Sequence, residues 1–301
     1  MKHLLSIESL SREQIVALLD LAVSMREVRG REVKKVPALR GRTVATLFFE
    51  SSTRTRSSFE LAAKALSADT LSFATGGSSV SKGETLVDTA RNLEAMGADI
   101  LVLRHPASGA CEVVSRSVKC AVVNAGDGAH EHPTQALLDA LTLREALGTL
   151  DGKTVAIVGD IRHSRVARSN LHCLTKLGAR VRLCGPPTLM PPGIAALGGE
   201  VFTDLRAALD GVDAVMLLRL QHERMKEAFI PSLREYATLW GLHDGALEHL
   251  PSRAVVLHPG PVNRGVELAP SIADGERSKI LRQVTNGVAV RMAVLYSVLH
   301  G

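Results

Sequence analysis

One short stretch of the chain concentrates groups that bind anions. Residues 48–60, FFESSTRTRSSFE, place six serine or threonine hydroxyls and two arginines within nine positions, between a strand-like run and a helix-like run. Backbone N–H groups at a helix N-terminus can bind an anion, and the helix dipole favours negative charge there. The stretch therefore predicts a cradle for a dianion, most simply a phosphate, formed by Ser52, Thr53, Arg54 and Thr55. The alternative is a capped helix with solvated arginines; the glycines and lysine of a P-loop are missing.

Three further polar residues follow strand-like runs in the first half of the chain. Arg104 closes the apolar run ILVLR, and His132 precedes a proline and an apolar helix in GDGAHEHPTQ. Gln135, one helical turn away, could bind a substrate amide or amine. Each also has a simpler interpretation, because a charge often ends a strand and a single histidine is more often structural than catalytic. The spacing alone leaves both interpretations open.

Arginines dominate the corresponding positions in the second half. The segment GDIRHSRVARSN follows the run TVAIV, where a dinucleotide-binding protein would carry GxGxxG, and only Gly159 is present. The glycines that would let a pyrophosphate approach the backbone closely are therefore missing, and their absence disfavours nicotinamide binding. Guanidinium groups suit carboxylates better. The segment LLRLQHER supplies Arg219, Gln221 and Arg224 after another strand, and the loop HPGPVNRGVE follows the last strand.

The elements that must position these residues alternate between strands and helices. Short β-branched runs are separated by helical stretches, first up to a long helix near residue 147 and then again after the turn LDGK. This repetition predicts an α/β fold of two parallel-sheet domains with helices on both faces. Ligands bind such sheets beyond the carboxyl ends of the strands, where the polar clusters fall. We expect domains at residues 1–134 and 135–285, with a closing helix at 286–301 packed back on the first.

Composition excludes several classes of protein. The chain has 301 residues, 46% of them hydrophobic, which is enough for a large core. No apolar run reaches the ~20 residues of a membrane span, and no secretory signal is recognisable. A net charge of +5 with only 3% aromatic residues suits small anionic substrates better than nucleic acid. Four widely spaced cysteines predict neither disulfides nor a zinc site, so we expect a reducing cytoplasm.

Taken together, the motifs resemble the transcarbamoylase family, in particular its aspartate carbamoyltransferase catalytic chains. The segments that carry the resemblance occur in the family's order and span nearly the whole chain; they are FESSTRTRSSFE, SKGETLVDT, HPTQALLD, GDIRHSRVARSN, LRLQHER and HPGPVNRGVE. RLQHER together with HPGPVNRG is similar to enzymes that accept aspartate rather than ornithine. The resemblance implies transfer of a carbamoyl group from carbamoyl phosphate to L-aspartate, an early step of de novo pyrimidine biosynthesis, in a crevice between the two domains and without a metal or organic cofactor.

The resemblance also implies a role for each candidate residue. The phosphate of carbamoyl phosphate would be bound by Ser52, Thr53, Arg54 and Thr55. The carbamoyl group would be polarised and oriented by Thr55, Arg104, His132 and Gln135. The two carboxylates of aspartate would be bound by Arg165, Arg219 and Gln221, and backbone groups of Gly260 and Pro261 would line the site.

Two further sets of residues follow from the same resemblance. Domain closure would be bridged by Glu50, Arg165 and Arg224. Ser78 and Lys82 would reach into the site of a neighbouring subunit, so that a homotrimer shares its active sites. Whether a regulatory chain or a dihydroorotase partner also associates is left open. The alternatives are an ornithine-specific transcarbamoylase, a catalytically idle homologue that scaffolds a partner enzyme, and a nicotinamide-dependent dehydrogenase.

Overall fold

The structure is a computed structural model that describes residues 1–74, 84–221 and 229–301. Its chain divides into two compact units. The first unit contains Met1–Leu138 and Thr285–Gly301, and the second contains Asp139–Val284. The sequence placed these divisions after residues 134 and 285. Both observed divisions fall inside helices, at positions where hydropathy gives no boundary signal.

The first unit is built on a four-stranded parallel sheet. Its strands are β1 (Thr43–Phe48), β2 (Asp69–Ala74), β3 (Ile100–His105) and β4 (Ala121–Asp127). They lie in the order β2-β1-β3-β4. The helices that accompany them are α1 (Arg12–Gly30), α2 (Thr53–Ala65), α3 (Leu86–Ala95), α4 (Ala110–Ser115) and the start of α5 (Pro133–Leu147). This order puts the carboxyl ends of β1, β3 and β4 side by side.

The second unit is built on a five-stranded parallel sheet. Its strands are β5 (Thr154–Val158), β6 (Arg180–Cys184), β7 (Glu200–Phe202), β8 (Ala214–Leu217) and β9 (Val255–Leu257). They lie in the order β7-β6-β5-β8-β9. The remaining helices are α6 (Arg165–Lys176), α7 (Leu205–Leu209), α8 (Leu233–Trp240), α9 (Pro270–Ala273) and α10 (Ile280–His300), of which only the first turns belong to the second unit. Here the neighbouring carboxyl ends are those of β5, β8 and β9.

The central strands are buried along their whole length. All five residues of β5 and all four of β8 are buried, and so are five of the six residues of β1. Strands of parallel sheets are covered on both faces, so their sequences are nearly continuous apolar runs rather than alternating ones. The prediction of two parallel-sheet domains with helices is confirmed. No helix in the three described ranges is long and apolar enough to cross a membrane.

Two helix starts show what sequence patterns do and do not report. A capping box of the S-x-x-Q type opens α1, where the Ser11 hydroxyl accepts from the Gln14 N–H and the Gln14 side chain accepts from the Ser11 N–H. In contrast, α10 begins at Ile280, ahead of the apolar pattern that sets in near residue 286. Its first turns carry Leu281, which is 82% exposed, and Arg282, which is paired with Glu145. No apolar stripe marks that part of the helix.

Candidate functional site

The predicted anion cradle lies where β1 runs into α2. Ser52 occupies the N-cap position of α2, and the first turn begins with Thr53, Arg54 and Thr55. The Ser52 hydroxyl makes no capping hydrogen bond in the described structure. The N–H groups of a first turn have no acceptor within their own helix. Hydroxyls, first-turn N–H groups and the exposed guanidinium of Arg54 therefore meet at one helix N-terminus, as an anion site requires.

Arg104 lies beside this cradle, near the end of β3. It pairs in register with Phe48 at the end of β1. Its Nε is 3.2 Å from a carboxylate oxygen of Glu50, and its Nη1 donates to the carbonyl of Ala125 at 3.2 Å. Only 14% of the Arg104 side chain is exposed, so burial of its charge requires such partners. Glu50, the residue predicted to bridge the domains, thus forms an ion pair within the first unit.

His132 and Gln135 flank the start of α5, which follows β4. His132 is 4% exposed and lies one residue before Pro133, the first residue of the helix. Gln135 is 8% exposed, and its backbone N–H donates to the His132 carbonyl at 3.0 Å. Because β1, β3 and β4 are parallel neighbours, the cradle, Arg104 and His132 all lie at the carboxyl edge of one sheet. The structure therefore brings the predicted residues of the first unit to one edge.

In the second unit too, the predicted site residues follow the carboxyl ends of parallel strands. Arg165 is the first residue of α6, after β5, and is 3% exposed. A cation buried at a helix N-terminus is opposed by the helix dipole, so an anionic partner there is favourable. Arg219 and Gln221 follow β8, and both are half-buried. The half-buried Gly260 follows β9.

The backbone of the loop after β9 is fixed by local contacts. The N–H of Gly260 donates to Nδ1 of His258 at 2.8 Å, and Pro261 next to it is exposed. Because β5, β8 and β9 are neighbours, Arg165, Arg219 and this loop share the carboxyl edge of the second sheet. Two arginines next to the loop around Gly260 and Pro261 suit a substrate that carries carboxylates.

Gly159 is the one glycine present where a dinucleotide-binding protein would carry GxGxxG, and it allows close packing within the second unit. Its φ is +132°, and a Cβ at this position would lie 3.0 Å from the Leu218 carbonyl oxygen and 3.0 Å from the Tyr236 hydroxyl. Glycine is therefore required for the end of β5 to pack closely against the segment after β8. This glycine serves close packing within the sheet edge, in keeping with the argument against a pyrophosphate site.

Three of the predicted site residues lie outside the described ranges. These are Ser78, Lys82 and Arg224. Their assigned roles, at a neighbouring subunit's site and in domain closure, stay predictions.

Sequence reasoning missed the buried carboxylates at these edges, and two of them bind neighbouring loops. Asp127 is 1% exposed at the end of β4, and Glu267 is fully buried in the loop after β9. Burial raises the pKa of Glu267 above its ordinary value, although hydrogen bonds from the Leu220 N–H and the Asn263 side chain oppose this rise. Burial likewise acts to raise the pKa of Asp127, but hydrogen bonds outweigh it and the pKa lies below its ordinary value. The only signal in the sequence is an acidic residue within a glycine-bearing loop.

Comparison with known proteins agrees with this geometry. The family model "Aspartate/ornithine carbamoyltransferase, carbamoyl-P binding domain" matches residues 2–145. The model "Aspartate/ornithine carbamoyltransferase, Asp/Orn binding domain" matches residues 151–298. The chain is 65% identical, over all 301 of its residues and 95% of the relative, to the aspartate carbamoyltransferase catalytic subunit of Anaeromyxobacter sp. (strain Fw109-5).

Solved structures are similar over the same length. Aspartate transcarbamoylase from Trypanosoma cruzi, in complex with carbamoyl aspartate and phosphate, superposes with a TM-score of 0.87 at 34% identity, covering 98% of this chain and 95% of that one. Ornithine carbamoyltransferase from Thermus thermophilus superposes with a TM-score of 0.87 at 28% identity, covering 99% of both chains. The chain therefore belongs to the aspartate/ornithine carbamoyltransferase family.

Proposed function

We propose that this chain transfers the carbamoyl group of carbamoyl phosphate to the amine of L-aspartate, giving N-carbamoyl-L-aspartate and phosphate. The observation that carries the proposal is the N-terminus of α2, where Ser52, Thr53, Arg54 and Thr55 form an anion cradle beside Arg104. The cradle lies within the residues matched by a carbamoyl-phosphate-binding family model. The 65% identity to an aspartate carbamoyltransferase catalytic subunit favours aspartate over ornithine as the acceptor.

In the proposed reaction, the first unit binds the donor and stabilises charge. The neutral amine of aspartate attacks the carbamoyl carbon, and negative charge develops on the carbamoyl oxygen. Arg104, His132 and the Thr55 hydroxyl donate to that oxygen and stabilise it more than the ground-state carbonyl, which lowers the barrier. The bond from carbon to the phosphate oxygen then breaks. Phosphate leaves within the α2 cradle, and the proton lost by the amine passes to it.

In the same proposal, the second unit binds the acceptor. Arg165, Arg219 and Gln221 hold the two carboxylates, and the Gly260–Pro261 backbone limits the room around them. A dianionic donor next to a dicarboxylate acceptor repels it, and the arginines at the two sheet edges offset that repulsion. Gln135 orients the carbamoyl NH2 group. Closure of the two domains over both substrates would engage Glu50 with Arg165 and Arg224.

We further propose a homotrimer with shared sites, in which Ser78 and Lys82 complete the site of a neighbouring subunit. The family membership supports this assembly, and the closed symmetry of a trimer gives every site the same two contributors. A regulatory chain or a dihydroorotase stays a possible partner. The four free cysteines suit the reducing cytoplasm expected from the sequence, and that location stays a prediction.

The function is tested by product analysis with the purified chain. Supplied with carbamoyl phosphate and aspartate, it should release N-carbamoyl-aspartate and phosphate in equal amounts. Arg54→Ala removes a charge-assisted donor to the leaving phosphate and should lower kcat by at least about a hundredfold. Arg56→Ala, two residues further along the same helix, is the matched control for loss of a positive charge. Release of phosphate without a carbamoylated product would contradict the proposed function.

A further inference from the structure

Asp127 connects three separate segments at the carboxyl edge of the first sheet. Its Oδ1 accepts from Nδ2 of Asn124 at 2.7 Å and from the N–H of Glu131 at 3.2 Å. Its Oδ2 accepts from the N–H of Gly109 at 2.7 Å and lies 3.0 Å from Nδ1 of His130. One buried carboxylate therefore joins β4, the start of α4 and the turn that follows β4.

The backbone of that turn is also closed by Asp127. Its N–H donates to the Glu131 carbonyl at 3.1 Å, and its carbonyl accepts from the His130 N–H at 3.0 Å. The neighbouring Gly128 N–H donates to His105 on β3 at 2.9 Å. Backbone and side chain of one residue thus define a five-residue turn, residues 127–131. The next residue in the chain is His132.

The far side of the turn is fixed as well. The Glu131 carboxylate accepts from the N–H groups of Ile7 and Glu8, at 3.0 and 3.1 Å. The N-terminal segment that supplies these groups pairs with β4 through Leu4 and Val123. His132 therefore follows a turn that is held from both sides, and its own side chain is buried.

Asp127 is also close in sequence to the carbonyl that accepts a hydrogen bond from Arg104. The Ala125 carbonyl, which accepts from Arg104, lies two residues before Asp127 on β4. The intervening Gly126 N–H donates to Oδ1 of Asn124 at 2.7 Å, and Asn124 in turn donates to Asp127. Two of the three donors assigned to the carbamoyl oxygen, Arg104 and His132, are thus connected through short hydrogen-bonded segments to the same carboxylate.

We propose that Asp127 is a positioning residue for carbamoyl transfer. Its carboxylate sets the position of His132 and of the Ala125 carbonyl, which accepts a hydrogen bond from Arg104. The inference rests on the proposed function, because it concerns two of the three groups proposed to stabilise charge on the carbamoyl oxygen. Asp127 acts through these groups and does not touch substrate. Displacement of a catalytic group by about 1 Å is enough to lower a rate by roughly a hundredfold.

Asp127→Asn is the variant that isolates this role. The amide has the shape of the carboxylate, but one of its two positions carries an NH2 group. In either orientation that group faces a backbone N–H, of Gly109 or of Glu131, so at least one contact becomes a donor facing a donor. The turn then shifts while the sheet stays intact.

Asp99→Asn is the matched control in the same unit. Asp99 accepts from the Thr43 N–H at 2.8 Å and from Arg42 at 2.9 Å, at the amino edge of the sheet. The substitution removes the same charge and disturbs one backbone contact and one ion pair, away from the proposed site.

Two readouts decide the proposal. In steady-state assays, Asp127→Asn should lower kcat by roughly 10- to 100-fold and change the KM of carbamoyl phosphate less than about threefold, because the α2 cradle is untouched. In NMR spectra of 13C-histidine-labelled protein, the His132 ring signal, assigned with His132→Gln, should shift or broaden in Asp127→Asn and stay in place in Asp99→Asn.

The outcomes are distinct. A kcat within about twofold of the parent, a loss confined to KM, or an equal loss in Asp99→Asn would overturn the positioning role. If the parent itself transfers no carbamoyl group to aspartate, the proposed function fails. The NMR comparison then still decides the placement of His132, and an unmoved ring signal in Asp127→Asn would overturn the inference.

Discussion

Removal of the Glu267 carboxylate tests what fixes the two loops that are proposed to bind aspartate. Glu267 is fully buried in the second unit and accepts three hydrogen bonds. Its Oε1 accepts from the Leu220 N–H at 2.9 Å and from Nδ2 of Asn263 at 2.7 Å, and its Oε2 accepts from the Asn263 N–H at 2.9 Å. Leu220 lies between Arg219 and Gln221, and Asn263 lies two residues after Pro261. Glu267→Ala therefore releases both segments assigned to aspartate.

The size of the effect follows from these contacts. The Leu220 N–H is buried and loses its acceptor, which costs about 1–3 kcal/mol, whereas the half-buried Asn263 can turn to water and costs less. Burial raises the pKa of Glu267, so removal of the charge relieves part of a desolvation cost and offsets some of the loss. We expect a net destabilisation of about 2–3 kcal/mol, which lowers Tm by about 5–10 °C for a unit of this size.

The functional consequence separates this role from general stability. In Glu267→Ala the KM for aspartate should rise at least about tenfold, with the KM for carbamoyl phosphate changed less than about twofold. Asp213→Ala is the control: Asp213 accepts from the Thr154 N–H at 3.0 Å and from Lys153 at 3.2 Å, at the amino edge of the same sheet. It should lower Tm by a similar amount and leave both KM values unchanged. Equal effects of the two variants on aspartate would refute the reasoning.

Three other predictions follow from the assigned roles. Arg219→Ala should weaken aspartate binding far more than carbamoyl phosphate binding, and calorimetry that shows equal losses would count against its assignment. If trimers share sites, Lys82→Ala and His132→Ala proteins, each inactive, should regain roughly one quarter of parental activity when their subunits are mixed at equal amounts and reassociated; inactivity after demonstrated exchange would contradict the shared site. The pKa of Asp127 lies below its ordinary 3.8 in the folded chain, so its contribution to stability is present above that pH and is lost as pH falls through the folded value. The gap in unfolding free energy between the parent and Asp127→Asn should therefore narrow from about pH 5 to about pH 2, as measured by urea unfolding.

Local patterns were sufficient to predict the sheets and the residues at their carboxyl edges. The central strands are short apolar runs followed by polar or glycine residues, and parallel topology then places Arg104, Arg165 and Arg219 at or after strand ends. The start of α10 was misplaced because its first turns are largely exposed and their buried residue, Gln283, is polar. Hydropathy reports burial, so it cannot mark a helix that begins on the surface.

The supporting carboxylates could not be predicted in this way. Asp127 accepts from Gly109, 18 residues away in sequence, and Glu267 accepts from Leu220, 47 residues away. These distant partners are backbone N–H groups, which every residue except proline carries, so no residue type signals the contact. Their function depends on which loops the fold brings together, and that information is absent from local sequence.

Competition between two acceptors tests the central claim most directly. The purified chain is given carbamoyl phosphate with equal concentrations of L-aspartate and L-ornithine, and the two carbamoylated products are separated and counted. The account predicts N-carbamoyl-aspartate in large excess, because Arg165, Arg219 and Gln221 are proposed to bind a second carboxylate that ornithine lacks. An excess of citrulline, or equal amounts of the two products, would contradict it.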